Sequence, residues 1–321
     1  MRIHFTKMQG CGNDYVYIDG AKELVPQEKK ADLARFVSDR HFGIGSDGLI
    51  FINPVDDPDI DFEMEMYNAD GSRSEMCGNG IRCVAKYVYD HQLTDRTALT
   101  IVSAGKRKYI DLTLGEDGFV KTVKVDMGAP ILSAPEVPVN IPGLCSFTAA
   151  QNDDSFARDY DSGSKNMDPA GVPADAVIDE PISVCGRKWH MTCVSMGNPH
   201  AVVFLPSEMP LESFDIEEFG PHFENHEYFP NRTNTEFVTI DDRNNVHMRV
   251  WERGTGETLA CGTGCCATAV ACILNGLTDN EITVHVLGGD IKCSWDGNGA
   301  SPVIMEGPAV TVFEGDLEWE G

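Results

Sequence analysis

Two cysteines each head the same short phrase, Cys77-Gly78-Asn79-Gly80 and Cys261-Gly262-Thr263-Gly264. A reaction that takes a proton from one face of a carbon and returns one to the other needs an acid/base group on each side, and a repeated thiol meets that need. A glycine-rich turn that opens a helix also aims several backbone N–H groups at one point, where the helix dipole favours an anion such as a substrate carboxylate. The same position lowers a thiol's pKa from its free value of about 8.5, so the sequence predicts that one sulfur can be a thiolate while the other stays a thiol. A single copy reads equally well as a tight turn with a small buried thiol. Two copies in matched surroundings point to chemistry.

The surroundings do match. Ile60 to Tyr67 alternates apolar and polar residues with the period of a half-buried strand, and Asn68-Ala69-Asp70-Gly71 supplies turn residues. Val246 to Trp251 alternates likewise, and the stretch from Gly254 to Gly256 breaks it. Aligning Cys77 with Cys261 sets Tyr67 against Trp251, so strand end and thiol are equally spaced in both halves. Beyond each cysteine the period becomes helical, with Ile81, Val84, Ala85 and Val88 in one half and Cys266, Ala269, Val270 and Ile273 in the other. The second helix is apolar nearly all round, as a buried helix is, and Asn275-Gly276 supplies its stop.

Further motifs run in a specific joint order: Met8-Gln9-Gly10-Cys11-Gly12-Asn13-Asp14, Gly43-Ile44-Gly45-Ser46-Asp47-Gly48-Leu49, and Tyr67 to Gly71 leading to Glu75-Met76-Cys77-Gly78-Asn79-Gly80-Ile81-Arg82-Cys83. Gly197-Asn198-Pro199-His200-Ala201-Val202, Asn234 to Val238, Glu252-Arg253-Gly254 and Glu257 to Gly264 follow. Over nearly the whole chain this order resembles the diaminopimelate epimerases, cofactor-independent enzymes that interconvert LL- and meso-diaminopimelate, a precursor of lysine and peptidoglycan. The resemblance implies an α/β (α+β) fold of two pseudo-symmetric domains, each a curved, mostly antiparallel sheet or barrel wrapped around a central helix. It implies an N-terminal half of residues 1–128 plus about 306–321, a C-terminal half of 129–305, and a final strand near Ala309 to Phe313 that returns to the first half. It also implies Cys77 and Cys261 as the two bases, with the amides of Gly78, Asn79, Gly262 and Thr263 cradling the α-carboxylate. Asn13, Asn68, Asn198, Asn234, Glu252 and Arg253 would hold the substrate's charged ends, and His200 and Glu252 would support catalysis. No cofactor or metal is expected, and a homodimer is possible. One departure is Gly48, where some relatives carry a substrate-binding Gln. Proline-type racemases differ at Asn79 and at Leu259-Ala260, and phenazine-biosynthesis-like isomerases lack the cysteine pair.

The residue types make sense on their own. Asparagine binds a zwitterion without adding net charge, and the planar fork of Arg253 suits a carboxylate. Against this, Asn68 and Asn198-Pro199 also suit turns, Arg253 also suits a surface ion pair, and His200, followed by the apolar run from Ala201 to Leu205, also suits a core. The α-proton is weakly acidic, so catalysis must come from stabilising the developing carbanion and from a dry site, which predicts closure of two domains over the substrate.

Composition sets limits. With 51 acidic and 25 basic residues among 321, the net charge is −26, which disfavours nucleic acid and anionic membranes as partners. The segment from Met1 to Lys7 lacks an apolar signal core, and no apolar run approaches the roughly 20 residues of a membrane span. A cytoplasmic location is expected, with most of the eleven cysteines as free thiols. Zinc is disfavoured because no Cys-x-x-Cys occurs and His222 and His226 have no nearby cysteine. The acidic stretch from Gly143 to about Glu180, rich in Asp, Ser, Gly, Pro and Ala, predicts a solvated loop or partly disordered insertion.

Overall fold

Alternation of apolar and polar residues in short runs separated by turn residues yields a strand-rich chain with few helices, a mixed α+β fold. The computed structural model describes residues 1–74, 77–142 and 170–321. The chain divides into two units, Met1–Asp126 with Glu306–Gly321, and Met127–Met305.

The first unit opens with β1 (Arg2–Gly10) and β2 (Asn13–Asp19), an antiparallel hairpin whose turn places Cys11 and Gly12 at positive φ. After α1 (Gln27–Ser38), β3 (Gly48–Asn53) joins β2 in parallel and β4 (Phe62–Asn68) joins β3 antiparallel. Strand β5 (Arg73–Ser74) folds back on β4, and α2 (Gly78–Asp90) follows. A meander of β6 (Ala98–Ser103), β7 (Lys106–Leu114) and β8 (Val120–Asp126) then continues the sheet, with β6 parallel to β4. Helix α2 buries Gly78 to Ala85, Tyr87 and Val88, the face that its apolar spacing predicts.

The second unit repeats this order. Strands β9 (Glu180–Val184), β10 (Arg187–Ser195) and β11 (Pro199–Phe204) run antiparallel, and after α3 (Ile216–Glu224), β12 (Asn234–Ile240) joins β11 in parallel. Strand β13 (Asn245–Glu252) joins β12 antiparallel, β14 (Gly256–Thr258) folds back on it, and α4 (Gly262–Leu274) follows. Strand β15 (Glu281–Val286) lies parallel to β13, and β16 (Gly289–Ser294) closes the hairpin. Every residue of α4 from Gly264 to Ile273 is buried.

The chain passes back to the first unit through β17 (Ile304–Pro308) and ends in β18 (Val310–Glu318), which pairs with β1 from Gln9↔Val310 to Arg2↔Glu318. This strand is longer than the sequence pattern suggests. The main-chain ladder of β1 satisfies its backbone groups whether or not its side chains are apolar. The segment expected as a solvated loop also differs in part. Residues 143–169 lie outside the described residues, but Ala176 and Val177 are buried, Ala176 bridges to Ser133, and the Val177 carbonyl accepts from the Cys193 amide. Two small apolar residues suffice to anchor a stretch whose average composition is polar.

Candidate active site

In the first unit Cys77 is the N-cap of α2. Its backbone is extended (φ −136°, ψ 114°), so the sulfur turns back to accept the Gly80 amide at 3.2 Å, the role usually filled by Ser or Asp. The thiol donates to Asn13 Oδ1 at 3.1 Å, and Asn79 Nδ2 reaches the same oxygen at 3.4 Å. Asn13 is fixed in turn by donating to Asp47 at 2.7 Å, and Arg40 bridges Asp14 and Asp47 at 2.8 Å each. Asn68 closes its own turn, donating to Ser72 Oγ at 3.0 Å while its carbonyl accepts the Gly71 amide. Gly48 is tightly enclosed: a Cβ there would lie 2.2 Å from the Tyr67 carbonyl and 2.9 Å from the Tyr15 ring.

The second unit places Cys261 at the N-cap of α4 in the same way, accepting the Gly264 amide at 3.4 Å with Thr263 Oγ1 also at 3.4 Å. Beside it lies a fully buried pair, His200 Nδ1 against Glu236 Oε1 at 2.7 Å. His200 Nε2 meets Asn198 Oδ1 at 3.2 Å. The donor atoms of His200, Glu236 and Cys261 lie within 4.8 Å of one another. This histidine–cysteine grouping is invisible in sequence spacing. Only Oε1 of Glu236 is engaged by His200; among the described residues Oε2 is buried without a hydrogen-bond partner. Glu252 accepts from Thr258 Oγ1 at 2.5 Å, and Asn234 Oδ1 accepts the Arg253 amide at 2.8 Å. The Arg253 fork donates to the Asn231 carbonyl at 2.9 Å.

The expected lowering of thiol pKa is not met. Burial pushes Cys77 up, and the Gly80 amide, Tyr15, the Asn79 amide and Arg82 pull it back only in part. Burial pushes Cys261 much further up, the carboxyl groups of Glu252 and Glu236 add to that, and Thr263 and the Gly264 amide oppose it. Desolvating a charge outweighs what one helix terminus returns. Burial likewise raises Glu252, against the opposing hydrogen bond from Thr258.

Sequence reasoning gave no role to Glu236, Tyr15 or Arg82. Glu236 carries a signal in retrospect, as a lone acid in the strand Asn234-Thr235-Glu236-Phe237-Val238. Arg82 carries one too, as a cation within the apolar spacing of α2. The ten described cysteines are all free thiols. Among the described residues no helix is long and apolar enough to cross a membrane.

The fold is a mixed α+β fold shared with solved structures of low sequence identity. A PhzF-family phenazine biosynthesis protein from Bacillus anthracis matches with a TM-score of 0.64 at 16% identity, covering 99% of this chain and 100% of that one. A hydroxyproline epimerase from Agrobacterium vitis, solved with trans-4-hydroxy-L-proline, matches with a TM-score of 0.61 at 11% identity, covering 98% and 91%. At such identities the likeness concerns the fold alone. The diaminopimelate epimerase family profile matches residues 5–133 and 192–312. A diaminopimelate epimerase of Agathobacter rectalis is 51% identical over 98% of this chain and 99% of its own length. One from Methanococcus maripaludis strain S2 is 46% identical over 98% and 100%. The chain belongs to the diaminopimelate epimerase family.

Proposed function

We propose that this protein is an amino-acid epimerase that interconverts LL- and meso-2,6-diaminopimelate without a cofactor, using Cys77 and Cys261 as its two bases. The carrying observation is the repeated thiol cap: each cysteine begins a buried helix and accepts the amide three residues on, in two units of the same strand order. One sulfur takes the α-proton, and the electron pair left on carbon spreads into the α-carboxylate. The other thiol then gives its proton to the opposite face. The amides of Gly78, Asn79, Gly262 and Thr263 are the donors for the carboxylate's growing charge. Asn13, Asn68, Asn198, Asn234, Glu252 and Arg253 hold the ammonium and carboxylate ends, exchanging present partners for substrate. His200 and Glu252 support proton movement at Cys261. Burial disfavours a thiolate at either position, and the arriving substrate ammonium supplies the positive charge that favours one. We place the enzyme in the cytoplasm, as a possible homodimer.

The test is α-proton exchange of LL-diaminopimelate in deuterated water. The parent is expected to exchange and invert, and Cys77→Ala and Cys261→Ala are each expected to lose inversion. Normal epimerisation by either variant would rule out the paired scheme.

A further inference from the structure

The two thiols sit at equivalent positions in units of the same topology, so their surroundings compare residue by residue. Tyr15 pairs with Gly48 and Leu49 with Tyr67 in the first unit, and His200 with Asn234 and Thr235 with Trp251 in the second. With Tyr67 set on Trp251 and Cys77 on Cys261, Tyr15 corresponds to His200, Ile50 to Glu236, Asn68 to Glu252 and Arg82 to Cys266. The glycine at the third helical position supports the match. A Cβ on Gly80 would lie 2.9 Å from Ile50 Cδ1, and one on Gly264 2.7 Å from Glu236 Oε1.

Charge is inverted across this correspondence. Around Cys261 stand two carboxyl groups, Glu236 and Glu252, with His200 bonded to Glu236. Cys193 on β10 and Cys293 on β16, strands that pack on α4, are buried thiols that add no cation. Around Cys77 the matching positions are Ile50 and Asn68. The guanidinium of Arg82 is fully buried at the back of its helix, donating to the Gly78 carbonyl at 3.4 Å, the Pro308 carbonyl at 3.1 Å and Cys11 Sγ at 3.8 Å. Its cavity is built for it, since a Cβ on Gly10 or Gly307 would lie 3.0 or 3.1 Å from it. Among the described residues the other polar groups facing Cys77 are Tyr15 and Tyr17 on β2, Asn79 and Cys83 on α2, and Asn13 with the mutually paired Asp14, Asp47, Lys7 and Arg40 beyond it. On β6, β7 and β8 the buried residues are apolar apart from Ser103.

We propose that Cys77 is the thiol that ionises first, favoured by Arg82 as a positioning cation, and that Glu236 and Glu252 keep Cys261 protonated. When the arriving substrate ammonium draws out one proton, the pair becomes thiolate at 77 and thiol at 261, so a substrate isomer whose α-proton faces Cys77 reacts without a prior proton exchange. The inference deepens the proposed two-base reading and takes its catalytic meaning from it. The opposing influences of Arg82 on Cys77 and of the two glutamates on Cys261 agree with it in sign.

Residue-resolved alkylation with iodoacetamide, followed by peptide mass spectrometry from neutral to alkaline pH, tests it. In the parent protein the Cys77 midpoint is expected below that of Cys261. Arg82→Gln should raise the Cys77 midpoint by about one pH unit and leave Cys261 unmoved, Arg82→Lys should keep it near the parent value, and Glu236→Gln should lower Cys261 alone. Coincident midpoints in the parent, or Cys261 reacting first, would overturn the order. An unmoved Cys77 midpoint in an Arg82→Gln protein with native circular dichroism would overturn the role of Arg82. The readout needs no turnover, so failure of the parent to invert diaminopimelate would strike the proposed reaction and not the ionisation order.

Discussion

At the scale of single residues, the two capping thiols show how one local geometry is reused with different neighbours. The sulfur needs an amide three residues on and no side chain in the way, and this makes Gly80 and Gly264 informative. Gly264 faces Glu236 Oε1, which is pinned by His200, so a methyl group there must break a buried hydrogen bond or shift the helix. Gly264→Ala is therefore expected to cost about 1–3 kcal/mol of stability, read as a fall in the urea midpoint. Gly80→Ala meets the movable end of an Ile50 side chain at 2.9 Å and Cys77 Cβ at 3.3 Å, with no carboxylate in the way, and gains up to about 1 kcal/mol of helix propensity, so its midpoint should stay near the parent's. Equal losses in the two variants would show that the pinned carboxylate does not distinguish them. The cysteines stood out by their repeated phrase, whereas His200 and the asparagines were expected from the family resemblance and read singly as core or turn residues. Glu236 and Arg82 were not legible, because charged residues are ordinarily solvated and only the fold removes these two from water.

At the scale of elements, helix α1 is tied to β4 through one carboxylate. Glu65, with its side chain 5% exposed, accepts from Lys30 at 2.5 Å, Gln27 at 3.0 Å, Tyr67 at 2.8 Å and Asn53 at 3.1 Å. Burial alone would raise its pKa, but these partners outweigh burial and hold it at about 2, against an ordinary value of 4.5. A folded value below the unfolded one means the stabilisation is fully present above pH 4.5 and is lost as pH falls from there toward 2. Glu65→Gln is expected to lower stability at pH 7 by about 2 kcal/mol, with the gap to the parent closing under acid. Urea titrations at pH 7 and near pH 3 measure this, and a gap that does not narrow on acidification would refute it. The strands and helices around the thiols followed from their periods of two and 3.6. The end of β18 and the anchoring of Ala176 and Val177 did not, because ladder pairing and local burial depend on partners far along the chain.

For the whole molecule, 51 acidic residues against 25 basic ones give mutual repulsion at neutral pH that vanishes near the isoelectric point of about 4.5. Solubility is expected to pass through a minimum near that pH and to recover on either side. Precipitation by polyethylene glycol across a pH series would show it, and a minimum near neutrality would contradict the charge count. The duplication is also a whole-molecule property: hairpin, helix, parallel strand, antiparallel strand, short return strand and buried helix occur twice in the same order. Three shared residues in the four-residue phrase at each thiol, with matching strand and helix periods around them, were enough to suggest it. The remaining equivalences, Tyr15 with His200 and Ile50 with Glu236, emerge only from strand register, because the residue types have diverged completely.

By itself the sequence determined where the thiols cap helices, which segments alternate as strands, and which family the motif order resembles, because these depend on neighbours a few residues apart. Tertiary structure decided the surroundings of those thiols. Burial, a guanidinium five residues into one helix and carboxyl groups from separate strands beside the other act through space. Whether a charge is favoured depends on the sum of desolvation and distant partners, and no local pattern carries that sum.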